Sequence, residues 1–130
     1  MEPEKPGKLA KEVAIELEDE GILKVFLLKG NYYVSDTEGL KIVNAASDWL
    51  TYLQDTTRTL RYLRFFGFTG ETETLIYQNE LGYFTAQVRP FKEWASIWTL
   101  FATRRNTKAA KILYLLAIRG IRDRIANIIN

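Results

Sequence analysis

Residues Ala109 to Ala117 form an almost entirely apolar run, broken only by Lys111. At about 100° per residue, Ala110, Leu113, Tyr114, Ala117, Ile118, Ile121, Ile125 and Ile128 fall on one broad face. Ile112, Leu115 and Leu116 lie on the other side, followed by Arg119, Arg122 and Asp123. The segment therefore predicts a long helix that starts buried all round and emerges with one wet face. Gly120 in its middle costs about 1 kcal/mol relative to Ala and marks either a close helix contact or a break. A second amphipathic helix precedes it, with Phe91, Trp94, Ala95, Trp98, Phe101 and Ala102 along one stripe and Pro90 near its first turn. The two are joined at Arg104-Arg105-Asn106-Thr107, with Asn106 or Thr107 as the cap of the last helix.

Upstream of that pair the pattern changes period. Val13, Ile15 and Leu17 alternate with Glu12, Ala14, Glu16 and Glu18, which is the signature of a half-buried strand. A helix through Leu9, Val13 and Leu17 competes with it; the strand is favoured. After a turn at Asp19-Glu20-Gly21, Ile22 to Leu28 reads as a strand covered on both faces. A turn at Lys29-Gly30-Asn31 leads to a third strand from Tyr32. Ser35 to Gly39 reads as a polar loop and Leu40 to Val43 as a brief apolar bridge. Asn44 then caps a helix carrying Ala46, Trp49, Leu50 and Leu53 at i, i+3, i+4, i+7. Asp55-Thr56-Thr57 separates it from a helix over Arg58 to Phe66, with Leu60, Leu63 and Phe66 inward and Gly67 and Gly70 ending it. Thr72 to Gln78 and Tyr83 to Val88 are β-prone runs joined by a four-residue loop, Asn79-Glu80-Leu81-Gly82.

Strands and helices do not alternate singly, so the expected class is α+β: small antiparallel strands and hairpins packed with four helices, the last one long. Residues 1–8, with two prolines and a glycine, read as a flexible leader to a single domain over residues 9–130. No apolar run reaches the roughly 20 residues of a membrane span. The polar N-terminus lacks a signal peptide's basic start and apolar block, so a cytoplasmic protein without a membrane partner is expected.

The chain has no cysteine and no histidine. That removes disulfides, thiolate zinc sites, cysteine nucleophiles and the commonest general base, and no cofactor is expected. Ser35, Ser47 and Ser96 have no histidine to activate them. Gly67-Phe68-Thr69-Gly70 is not a phosphate loop, because no Gly-Lys-Ser/Thr element follows. Glu71, Glu73 and Glu80, with Asp36 and Lys92, could be arranged into a magnesium-dependent nuclease site, although no spacing demands it. No catalytic or metal-binding residue is assigned.

The net charge of +2 is unevenly spread. Residues 1–20 hold seven acids against three lysines, while residues 101–130 hold seven bases against Asp123. Two basic groups stand out. Arg58, Arg61 and Arg64 lie at i, i+3, i+6 on a helix that follows another after a short turn, the outline of a helix-turn-helix. Arg104, Arg105, Lys108 and Lys111 make an anion-attracting corner at a helix start. A solvated helix face and an ordinary helix–helix turn are the competing readings. Tyr52, Tyr62, Trp49, Trp94 and Trp98 have the aromatic surface to stack on bases, but at helical spacing they are better read as core.

The succession from Ile22 to Ile129 resembles the N-terminal domains of phage antirepressor-like proteins, the Bro-N and KilA-N group. The hairpin Ile22 to Ser35, the helix pair Asn44 to Phe66, the hairpin Thr72 to Val88 and the closing helices carry the resemblance. Asn106-Thr107-Lys108-Ala109 begins the last helix and Gly120-Ile121-Arg122 lies near its end. The usual Trp and Glu-Val-Leu-Pro run before the terminal Ile-Arg is missing. The resemblance implies a non-enzymatic, transcription-regulating DNA-binding domain, with duplex DNA the partner. The alternative is a protein-interaction module, as a homodimer or a small inhibitor, built on Ile121, Ile125, Ile128 and Ile129.

Overall fold

A computed structural model of the chain describes residues 9–53 and 57–129, with side chains over 9–53 and 58–120. The predicted leader, residues 1–8, and Asp55-Thr56 of the predicted turn lie outside the described residues. So do the side chains of Ile121, Ile125, Ile128 and Ile129.

The fold is α+β, as its sequence predicts. Strands β1 (Lys11–Glu16), β2 (Ile22–Leu28) and β3 (Asn31–Ser35) form a meander, and β4 (Glu73–Asn79) and β5 (Gly82–Pro90) form a hairpin. β5 pairs with β3, giving one five-stranded sheet in the order β1-β2-β3-β5-β4, with every pair antiparallel. The period-two pattern of Val13 and Ile15 is a strand, not the competing helix. The first hairpin turns on Lys29 and Gly30, both at positive φ, between paired Leu28 and Asn31. The second is tighter than its sequence suggests. Asn79 pairs with Gly82, so the loop is Glu80-Leu81 alone, held by the Leu81 N–H donating to Asn79 Oδ1 at 2.8 Å.

The sheet curls until its two outer strands meet. Ala10, just ahead of β1, bridges Tyr77 in parallel, and its N–H donates to the Ile76 carbonyl at 2.9 Å. Ala10, Phe26, Tyr33, Leu75 and Val88 form a small core of their own. Alternate residues, including Ile15, Leu23, Val25 and Val34, belong to the main core shared with the helices.

The first helix is not where the periodicity puts it. Helix α1 is Asp36–Lys41, in the stretch read as a polar loop. Ser35 Oγ accepts from the Glu38 N–H at 3.2 Å, and Asp36 and Glu38 sit in the first turn. Asn44 ends this helix instead of starting another. Its φ is +57°, the Ala45 N–H reaches back to the Leu40 carbonyl at 2.9 Å, and the Asn44 N–H reaches Lys41 at 3.0 Å. That is a Schellman stop. Residues 46–53, expected as a helix, form successive turns with i to i+3 hydrogen bonds. Trp49 there packs on Phe101, ring centroids 4.8 Å apart.

Helix α2 is Thr57–Phe65, α3 is Phe91–Thr103 and α4 is Thr107–Ile129. Trp94 and Trp98 of α3 are buried at the centre of the main core. Their indole N–H groups donate to the carbonyls of Val34 and Gly39, each at 2.9 Å, which locks α3 onto β3 and α1. Gly39 is required by that packing, since a Cβ there would overlap the Trp94 ring. Ala109 and Ile112 of α4 are fully buried, but the helix does not start buried all round. Ala110, Lys111, Tyr114 and Ala117 are exposed, so its inward side runs through Ala109 and Ile112 and not along the predicted face of Ala110, Tyr114 and Ala117. Gly120 does not mark a break, since α4 runs through it, and a Cβ there would meet nothing within 4 Å among the described residues.

Candidate nucleic-acid interface

Helix α2 buries Thr59 and Leu63 and half-buries Leu60 and Phe66. Arg58, Arg61 and Arg64 are all exposed, and α2 carries no acid. The helix stops at Gly67, φ +106°, with the Phe68 N–H donating to the Leu63 carbonyl at 2.9 Å. This is a second Schellman stop, at the glycine the sequence marks. Phe65 is 83% exposed and Tyr62 46%. By spacing, Arg58, Tyr62 and Phe65 at i, i+4, i+7 share one stripe, with Arg61 and Arg64 beside it.

One residue of the second basic group reaches α2. Arg104, at the C-terminal end of α3, donates from Nη2 to Thr59 Oγ1 on α2 at 2.9 Å. Arg105 occupies the left-handed region at φ +66°. The Asn106 N–H donates to Phe101 at 2.9 Å and the Arg105 N–H to Ala102 at 3.2 Å, a third Schellman stop on a residue that is not glycine. Asn106 then caps α4: its Oδ1 accepts from the Ala109 N–H and its Nδ2 donates to the Val43 carbonyl, both at 2.9 Å.

Lys108 and Lys111 point elsewhere. Lys108 lines a cleft with Glu20, Lys24, Glu38 and Lys41, and Lys111 lines another with Glu16, Glu18 and Arg119. The acidic segment therefore faces these two lysines, with no ion pair to either within 4.0 Å among the described residues. The predicted corner at Arg104 to Lys111 divides: Arg104 joins α2, and the lysines share their surroundings with glutamates.

The helix-turn-helix outline is not formed, because residues 46–53 are turns. Trp94 and Trp98 are core, while Tyr52 and Tyr62 stand in solvent. Of the carboxylates considered for a nuclease, Asp36 pairs with Arg89 and Glu71 with Lys92, each at 2.9 Å. No three acidic side chains group as a metal set among the described residues.

Glu93 carries no signal in the local sequence, yet it is the most elaborately held polar group. It is fully buried in the first turn of α3. Its carboxylate accepts from the Thr69 N–H at 3.0 and 3.1 Å, from Thr69 Oγ1 at 2.8 Å and from the Glu71 N–H at 2.6 Å. Burial pushes its carboxyl upward, but the hydrogen bonds from Thr69, Glu71 and Gly70 together outweigh it, so Glu93 titrates below the ordinary glutamate range. The loop of Gly67 to Glu71 is thus an anion-binding bend already filled by the chain's own carboxylate.

A separate apolar cleft of about 650 Å3 opens between β1, α3 and α4, lined by Val13, Ile15, Phe91, Trp98, Leu113 and Leu116, with Arg119 at its edge. Among the described residues, no helix is long and apolar enough to cross a membrane. Comparison with protein families, characterised proteins and solved structures returns no match for this chain.

Proposed function

We propose that this protein is a non-enzymatic DNA-binding domain whose contact surface is the outer face of α2 together with Arg104. The observation that carries this reading is the exposed row Arg58, Arg61 and Arg64 on a helix with no acid of its own, with Arg104 of the second basic group tied to the same helix through Thr59. Clustered arginines of this kind neutralise phosphates and release their counterions, so affinity falls steeply with salt. The resemblance of the sequence to phage antirepressor-like domains, in its two hairpins and closing helices, points the same way, while the helix pair Asn44 to Phe66 that also carried it has turns over residues 46–53. Lys108 and Lys111 are secondary contacts, because glutamates share their clefts and lower the local potential.

The test is a fluorescence titration of labelled DNA at low salt, repeated at rising salt. Micromolar or tighter binding is expected, with a log–log salt slope that drops by about 0.7 to 0.9 for each phosphate-contacting arginine removed. Absence of binding at micromolar protein would sink the proposal.

A second reading, a homodimer or other protein-interaction module, is favoured by the apolar cleft beside α4. A clean monomer mass by light scattering across the micromolar range removes the homodimer.

A further inference from the structure

The exposed side of α2 presents aromatic rings as well as arginines. Phe65 is 83% exposed, in the last turn of a well-capped helix that has already buried Leu63 and half-buried Phe66. Burying a Phe side chain stabilises a fold, and this fold forgoes that at Phe65. Nor does the ring hang loose: it lies edge-on against Phe66, centroids 5.6 Å apart and planes at 70°. One turn back, Tyr62 is 46% exposed, with the Arg58 guanidinium 6.0 Å from its ring centroid.

From these observations we infer that the outer face of α2 takes a single-stranded nucleic acid, with bases stacked on Tyr62 and Phe65 and phosphates held by Arg58, Arg61, Arg64 and Arg104. The inference rests on the DNA-binding reading above and narrows it to one kind of strand. Three physical arguments carry it. A duplex hides its base faces, so exposed rings find nothing there to stack on, whereas every unpaired base offers a face. Tyr62 and Phe65 are three residues apart on one stripe, about 4.5 Å along the helix axis. That is slightly longer than the ~3.4 Å between nucleotides along a stacked strand, so a modestly stretched strand places successive bases on the two rings. Finally, the arginines flank the rings with no acid on the helix, which matches a backbone running beside splayed bases. A duplex reader of the helix-turn-helix kind would need a supporting helix over residues 46–53, where this chain has turns.

The experiment compares three fluorescein-labelled probes by anisotropy at low salt: a dT 15-mer, a U 15-mer and a 15-base-pair DNA duplex. Wild-type protein should bind a single strand at least about tenfold tighter than the duplex. The dT and U arms then distinguish DNA from RNA as the source of the same chemistry. Tyr62→Ala with Phe65→Ala should weaken single-strand binding by tenfold or more, since each base–aromatic stack is worth about 1–3 kcal/mol. Duplex binding should stay within about twofold. Phe65→Trp should retain single-strand affinity, and its indole emission should quench on binding. Both rings are exposed, so circular dichroism melts should match wild type. Equal affinity for all three probes, or loss of all three alike in the double variant, overturns the single-strand inference while leaving DNA binding intact. Failure to bind any probe overturns both.

Discussion

Glu93 and the arginines of α2 sit at opposite ends of one physical scale. Around Glu93 both carboxylate oxygens are met from within: Thr69 gives its amide and hydroxyl, and Glu71 its amide. Around α2 the only intramolecular hydrogen bond described for the arginines is Arg104 to Thr59, while Arg58, Arg61 and Arg64 face solvent. A polar group satisfied internally fixes a loop, whereas exposed charges that make no ion pair among the described residues are available to a partner. The loop before β4 has the donors of an anion site, but its anion is built in.

Substitutions test that contrast, and the closed region should give the largest effects. Glu93→Ala leaves two part-buried amides and a hydroxyl without their acceptor and empties a fully buried site, at about 1–3 kcal/mol for each lost donor partner at most. A loss near 3–4 kcal/mol in urea unfolding is expected, with nucleic-acid affinity of the remaining folded protein unchanged. The same residue has a pH signature. Its folded pKa is depressed, so its stabilisation is complete above the ordinary glutamate pKa and is lost as pH falls through the folded value. Glu93→Gln should lower stability at neutral pH, where the carboxylate's contribution is complete, and flatten the acid limb below that range. If the acid limb keeps its shape, Glu93 is not the group responsible.

Gly39→Ala comes next. Its methyl collides with the Trp94 ring, and overpacking a close contact costs about 1–3 kcal/mol, read as a lower melting temperature. Asn106→Ala removes the α4 cap and its tie to Val43, with a loss of about 1–2 kcal/mol by urea titration. Arg105→Gly should move the other way, because the left-handed conformation costs a side chain about 1–2 kcal/mol. A gain near 1 kcal/mol, with at most a small loss of DNA affinity, separates backbone role from charge role at that position. Smallest of all, Arg58→Gln with Arg61→Gln and Arg64→Gln should leave the unfolding midpoint nearly unmoved while abolishing most DNA binding. A marked fall in stability there would mean that α2 belongs with the closed region.

Most of the architecture was legible because strands and long helices announce themselves by period. Val13 and Ile15, the hairpin glycines and the long final helix stand where the pattern places them, although α4 turns Ala109 and Ile112 inward and leaves Ala110, Tyr114 and Ala117 exposed. The failures have physical causes. Ser35 and Glu38 carry the capping signature of a helix start, but Gly39 three residues into α1 reads as loop until Trp94 is seen pressing on it. Asn44 suits both an N-cap and a left-handed C-terminal stop, and only the Leu40 carbonyl decides between them. Residues 46–53 have helical spacing, yet Trp49 is drawn onto Phe101 from a run of turns. Glu93 resembles any solvated first-turn acid, because its partners lie more than twenty residues away. The arginines of α2 were legible as a row. That Phe65 would stand beside them in solvent was not, since an aromatic at a helix end reads equally well as core.

The meeting of Ala10 with Ile76 and Tyr77 has a kinetic meaning. It joins two points separated by about half the chain, so its loop-closure entropy is met only once the second hairpin exists. The bridge therefore forms late in folding and parts early in unfolding, although β1 itself pairs with the adjacent β2, and the Ala10 amide should exchange with solvent ahead of the amides between β2 and β3. While closed, the same junction covers one end of two outer strands that would otherwise offer their backbones to a neighbouring molecule, so resistance to aggregation in this protein should follow the lifetime of that single contact.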